Sequence, residues 1–157
     1  MTTKTAGAEP VIARNLISPD LFDRLAADIA RDHNMTIEHA ERTMEQALAF
    51  LYACALNPGA ALAPSPQVDI GWHAYILHTA AYADFCQKVA GRFIHHAPDQ
   101  PGEISHAARL ERLGATVQAI RSSGMPLDTD LWLLPAECSQ CHQGCYDDPT
   151  PNGGISR

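Results

Sequence analysis

Cysteine is concentrated near one end of this chain. Of its five cysteines, Cys138, Cys141 and Cys145 fall inside the eight residues Cys138-Ser139-Gln140-Cys141-His142-Gln143-Gly144-Cys145. The Cys138-x-x-Cys141 spacing lets two thiolates reach one tetrahedral ion. Gly144 eases the turn that brings in Cys145, and His142 or a histidine from elsewhere can supply a nitrogen. Zinc suits such a mixed sulfur and nitrogen set and needs no redox chemistry, so Zn²⁺ is the cofactor these residues predict. An iron–sulfur cluster on the three thiolates is a second reading, and a reversibly oxidised thiol cluster without metal is a third. Cys141-His142 also completes a Cys-x-x-Cys-His string of the haem c type, but that attachment occurs outside a reducing cytoplasm. Cys54 and Cys86 stand alone in apolar helical patterns and read as packed small hydrophobes.

A second group of candidates lies between Asp69 and His96. Asp69 and His73 are four residues apart and share a helix face, where a carboxylate could orient the imidazole and raise its basicity. His78 is five residues further on, roughly 140° round at helical pitch, so it needs partners elsewhere to meet the same ion. His95 and His96 follow a helix end, a position from which ligands or acid/base groups are readily presented. Asp69, His73, His95 and His96 are therefore the candidate catalytic residues. The plainer alternative is a stabilising Asp69–His73 helix pair worth a few tenths of a kcal/mol (about 0.2–0.5). His33, His39 and His106 read as surface residues.

Four helices must position these groups. The first runs over about Pro19–Arg31 behind Ser18, with Leu21, Phe22, Leu25, Ala26 and Ile29 as its apolar stripe. The second, about Ile37–Ala55, follows Thr36, carries Glu38 and Glu41 in its first turns, and lines up Ala40, Met44, Ala47, Leu48 and Leu51. Asn57-Pro58-Gly59 ends it, and a Pro/Ala loop leads to Ser65 and Pro66. The third is read as one continuous helix, about Gln67–Ala90, with Val68, Trp72, Ile76, Thr79, Ala83, Cys86 and Ala90 on one face. The fourth, about Glu103–Ser122, presents Leu110, Leu113, Val117 and Ile120, and a short helix near Asp128–Leu134 docks Trp132 on the bundle. The expected fold is all-α, a single-domain bundle of about four helices with a Cys-rich C-terminal loop. Its divisions are a flexible N-terminus 1–14, a helical domain 15–135, a metal-binding segment 136–148 and a disordered tail 149–157.

Composition narrows the partners. With 18 acidic against 11 basic residues the net charge is −7, and no Lys/Arg block stands out, so nucleic acid is not an expected partner. No apolar run is long enough for a membrane span, and residues 1–10 lack the apolar core of a signal peptide. The expected location is the cytoplasm, where a disulfide framework is disfavoured.

The stretch Val68-Asp69, Trp72-His73, Ile76-Leu77, Tyr82, Cys86, Gly91 and His95-His96 resembles the signature of the glycine-rich-domain-containing-protein-like family, over roughly residues 15 to 135. The larger members are plant proteins with extra domains, and the small ones are bacterial. The resemblance implies a helical domain and supplies no established reaction. Plant members often carry a second histidine two positions after the Trp-His, and here that position is Tyr75.

No nucleotide loop, nucleophile elbow or paired-carboxylate arrangement is present. The sequence therefore predicts a helical metal-binding protein, with zinc as the ion, acting as an accessory or interaction module toward a protein or small-molecule partner. The alternative is a metal-dependent enzyme that uses the His73, His95 and His96 region with the Cys segment. A third reading has Trp72 and Trp132 shape a partner-binding groove.

Overall fold

The computed structural model describes residues 12–133, and its regular structure is all helical: five α-helices and two short 3-10 turns, with no strand among the described residues. Cys138, Cys141, His142 and Cys145, like residues 1–11 and the 149–157 segment, lie outside the described residues.

Helix α1 spans Pro19–His33, α2 Ile37–Leu56, α3 Pro66–Leu77, α4 Thr79–Ala90 and α5 His106–Ser122. Four of the five begin behind a hydroxyl cap. Ser18 accepts from the Leu21 N–H, Thr36 from His39, Ser65 from Val68 and Ser105 from Ala108. Each cap satisfies one of the N–H groups that a helix start leaves without an intrahelical partner. Proline at the first position of α1 and α3 fits the same logic. Asn34 and Gly91 end α1 and α4 in the left-handed region, at φ 52° and 67°.

Helix α2 is the centre of the molecule. From Gln46 to Leu51 every side chain is buried, and α1, α3, α4 and α5 all pack on it. A helix apolar on all sides belongs inside, so the stripe expected from its sequence is only part of its buried surface. Where α3 crosses α2 the backbones come close. A Cβ placed on Gly71 would lie 2.7 Å from the Ala47 Cβ and 3.0 Å from the Thr43 carbonyl oxygen. Glycine is the residue that permits this approach.

The single third helix expected over Gln67–Ala90 is two helices. The chain breaks at His78 (φ −88°, ψ 67°), which ends α3 and starts α4. The His78 N–H bonds to the Tyr75 carbonyl at 3.0 Å, and its ring reaches Asp28 of α1 at 3.1 Å. The break resets the helical phase. Thr79 and Ala83, expected on the core face, are exposed, whereas Tyr75, Tyr82 and Phe85 are buried. Tyr75 and Tyr82 meet edge to face with ring centroids 5.3 Å apart.

The C-terminal part of the described chain crosses back over α2. Gln46 donates to the Pro126 carbonyl (3.0 Å) and accepts from the Trp132 indole N–H (2.7 Å). The Ser65 hydroxyl donates to the Leu131 carbonyl at 2.6 Å. Both tryptophans are buried, Trp72 and Trp132 alike, which removes the support for a groove shaped by them. Cys54 and Cys86 are buried free thiols, as their settings predict, and burial pushes the Cys54 thiol up to about 12.

Candidate metal centre

Asp69 lies in the first turns of α3, one helical turn before His73, on a helix whose position on α2 is set by the Gly71 crossing. The third member arrives from a separate element. After Gly91 ends α4, the chain runs without regular structure, and His96 folds back onto α3. The His96 Nε2–H donates to Asp69 Oδ1 at 2.7 Å, a charge-assisted bond of short length. The His73 and His96 rings meet edge-on with centroids 4.6 Å apart, and His96 also lies against the Trp72 ring at 4.4 Å. One ligand atom from each of Asp69, His73 and His96 falls within 4.8 Å of the other two.

The His96 side chain is 15% exposed and the Asp69 side chain 34%, so the cluster sits at the edge of the core with one side open to solvent. His73 is the exposed member.

Several contacts hold the returning segment. The Tyr82 hydroxyl donates to the Ile94 carbonyl at 2.5 Å and accepts the Trp72 indole N–H at 2.9 Å. Burial raises the Tyr82 phenol above its ordinary value, so it stays protonated and can donate. Arg92 donates to the Cys54 carbonyl at 2.9 Å, which ties the start of the segment to the end of α2.

Of the four candidates read from the sequence, the structure brings together Asp69, His73 and His96. The Asp69 hydrogen bond goes to His96 across 27 positions of sequence, and not to His73 as helical spacing suggested. His95 is exposed, with its ring against Phe93 at 4.8 Å. His78 is engaged by Asp28, whose carboxyl is held below its usual range first by His78 and then by Arg31. No local pattern in the sequence marks this pair or the Tyr82 link, because both join residues that only the α3–α4 break and the loop after Gly91 bring together. Tyr75, which stands where the resemblance places a second histidine, is buried against Tyr82 and Phe85. In this chain, the second imidazole near His73 comes from His96.

A carboxylate and two imidazoles are a donor set for zinc and other divalent first-row metals. Ligand atoms bonded at roughly 2.0–2.2 Å around a tetrahedral ion lie about 3.3–3.6 Å apart. Asp69 and His96 lie closer than that, at 2.7 Å, and all three ligand atoms lie within 4.8 Å of one another, so an ion would part the first pair by at least about half an ångström and draw His73 in. Asp69, His73 and His96 would hold such an ion, with His96 offering Nε2 as ligand in the tautomer that carries its proton on Nδ1.

Among curated proteins and among solved structures, none matches the chain. The profile of the UCP032817-like family matches residues 9–108 of the 157. That span contains Asp69, Trp72, His73, Tyr82 and His96, and it stops short of the cysteine-rich segment. Because the match covers more than half of its length, the chain belongs to the UCP032817-like family.

Proposed function

We propose that the protein is a helical metal-binding protein that holds zinc, or a divalent metal of similar preference, at Asp69, His73 and His96. One observation carries this reading: three ligand atoms of suitable chemistry converge within 4.8 Å from two separate chain segments. Three protein ligands leave a tetrahedral ion with one open position, as in catalytic rather than structural zinc sites. The cluster is partly exposed, so water can reach that position. This favours the metal-dependent enzyme over the purely accessory module, with Asp69, His73 and His96 as ligands.

The Cys138, Cys141, His142 and Cys145 segment is proposed as a second zinc site on its spacing alone, with an iron–sulfur cluster as the alternative. The kinship to glycine-rich-domain-containing proteins is likewise a proposal, supported by the Val68–His96 stretch. The proposed location is the cytoplasm, where free thiols such as Cys54 and Cys86 stay reduced. Among the described residues, no helix is long and apolar enough to cross a membrane.

The test is zinc titration of the purified chain beside His73→Ala and His96→Ala. Each variant is expected to bind one ion fewer than the wild type. Equal stoichiometry in all three proteins would show that the triad is not a metal site.

A further inference from the structure

The hydroxyl of Tyr82 is the point where three parts of the candidate centre meet. It accepts the indole N–H of Trp72 at 2.9 Å, on the helix that carries Asp69 and His73. It donates to the carbonyl of Ile94 at 2.5 Å, two residues before His96. It belongs to α4, which the His78 break folds back beside α3. Tyr82 is 1% exposed and Ile94 5%, so these bonds form away from water, where an unmade partner costs most. The Trp72 ring that Tyr82 anchors is also the surface against which His96 lies, at 4.4 Å.

We propose that Tyr82 is a positioning residue for the His96 arm of the metal centre: its hydroxyl fixes both the backbone that delivers His96 and the indole that sets the ring's tilt. The inference rests on the triad as the metal site and adds to it a residue that touches none of the ligands. Groups that orient metal-bound histidines typically change metal affinity by about 10–100-fold when removed. Tyr82 would act one step further back, through the chain and the Trp72 ring. Its removal should therefore fall at the lower end of that range, about tenfold.

The experiment uses the full chain and Zn²⁺ as the probe. Tyr82→Phe keeps the buried ring and its edge contacts with Tyr75 and Phe93 but loses both hydrogen bonds. Its zinc affinity at the triad is expected to fall about tenfold, with the helical circular dichroism unchanged. Tyr75→Phe, in the same aromatic cluster without a link to Ile94, is the control and should bind as the wild type does. The His96 ring resonances give a second readout that needs no metal. With the Trp72 ring 4.4 Å away they should carry a ring-current shift in the wild type, and in Tyr82→Phe they should move toward free-histidine values.

Unchanged affinity and unchanged His96 shifts in Tyr82→Phe would overturn the proposal while leaving the triad reading intact. Equal loss in the Tyr75→Phe control would also overturn it, showing general loosening of the core. A wild type that binds no zinc at the triad removes the reading and the proposal together. If Tyr82→Phe does not fold, Trp72→Phe replaces it. Trp72→Phe is read beside a chain with β-(3-benzothienyl)alanine at position 72, which keeps the indole-sized ring against His96 and loses only the N–H donor to Tyr82; weaker binding in that chain supports the proposal and unchanged binding overturns it.

Discussion

Asp69 is the residue on which the chemistry of the proposed centre turns. It is the one carboxylate of the cluster, and it meets His96 at 2.7 Å where either a proton or a cation can join them. Its charge can be separated from its shape. In Asp69→Asn the amide fills the same space and can still accept from His96, but it brings no negative charge to a divalent ion. Zinc affinity at the triad should fall by about tenfold or more, while thermal stability without metal changes little. Titration calorimetry and a melting curve measure the two. Part of this was readable in the sequence. Asp69, His73 and His96 all stand out by residue type and by position near a tryptophan or a helix end. Which imidazole Asp69 engages was not readable. Helical spacing sees His73 four positions away, but the hydrogen bond to His96 depends on a loop whose path no local pattern encodes.

At the scale of the helices, capping residues were the dependable signals. Ser18, Thr36 and Ser65 mark starts that the structure reproduces, because a hydroxyl cap is a local hydrogen bond. The break at His78 was not foreseen. No proline or glycine marks it, and the ring that fixes it bonds to Asp28, 50 positions away. With the phase reset there, the apolar face drawn through Thr79 and Ala83 missed Tyr82 and Phe85, and with them the support of the centre.

Gly71 is the matching test at this scale. Replacing it with alanine gains about 1 kcal/mol of helix propensity. The new methyl would meet the Ala47 Cβ at 2.7 Å and a backbone oxygen at 3.0 Å, neither of which can swing aside. Overpacking of this kind costs about 1–3 kcal/mol, so crowding should win and Gly71→Ala should melt below the wild type. Displacement of α3 should also weaken zinc binding at Asp69 and His73. A rise in melting temperature with undiminished zinc affinity would contradict the close-crossing account.

For the whole molecule, the segment after α5 closes the bundle. Gln46 and Ser65 fix it by hydrogen bonds to Trp132 and Leu131 that are buried, and Arg42 grips Asp128 at its edge with bonds of 2.7 and 2.9 Å. The hydrogen bonds from Arg42 hold the Asp128 carboxyl below the usual carboxylate range. A carboxyl lowered in this way stabilises the fold above its unfolded value, and that stabilisation is lost as pH falls through the lowered folded value. Asp128→Asn should therefore be less stable than the wild type at neutral pH. The gap should narrow under acid, below about pH 4, as the wild-type carboxyl takes up its proton. Denaturant unfolding at several pH values measures this, and a gap that is constant with pH would refute it. This closure was only half visible in the sequence. Trp132 was expected to dock on the bundle, and it does, but its partner Gln46 sits in the middle of a helix that reads as an apolar stripe with polar flanks.

The central claim is that the bundle itself binds metal, apart from the cysteine segment. It is tested most directly by zinc titration of the chain in which Cys138, Cys141 and Cys145 are all replaced by serine. That protein should still bind one zinc ion, and the addition of His96→Ala should abolish the binding. If the cysteine-free chain binds no zinc, the Asp69, His73 and His96 cluster is not a metal centre.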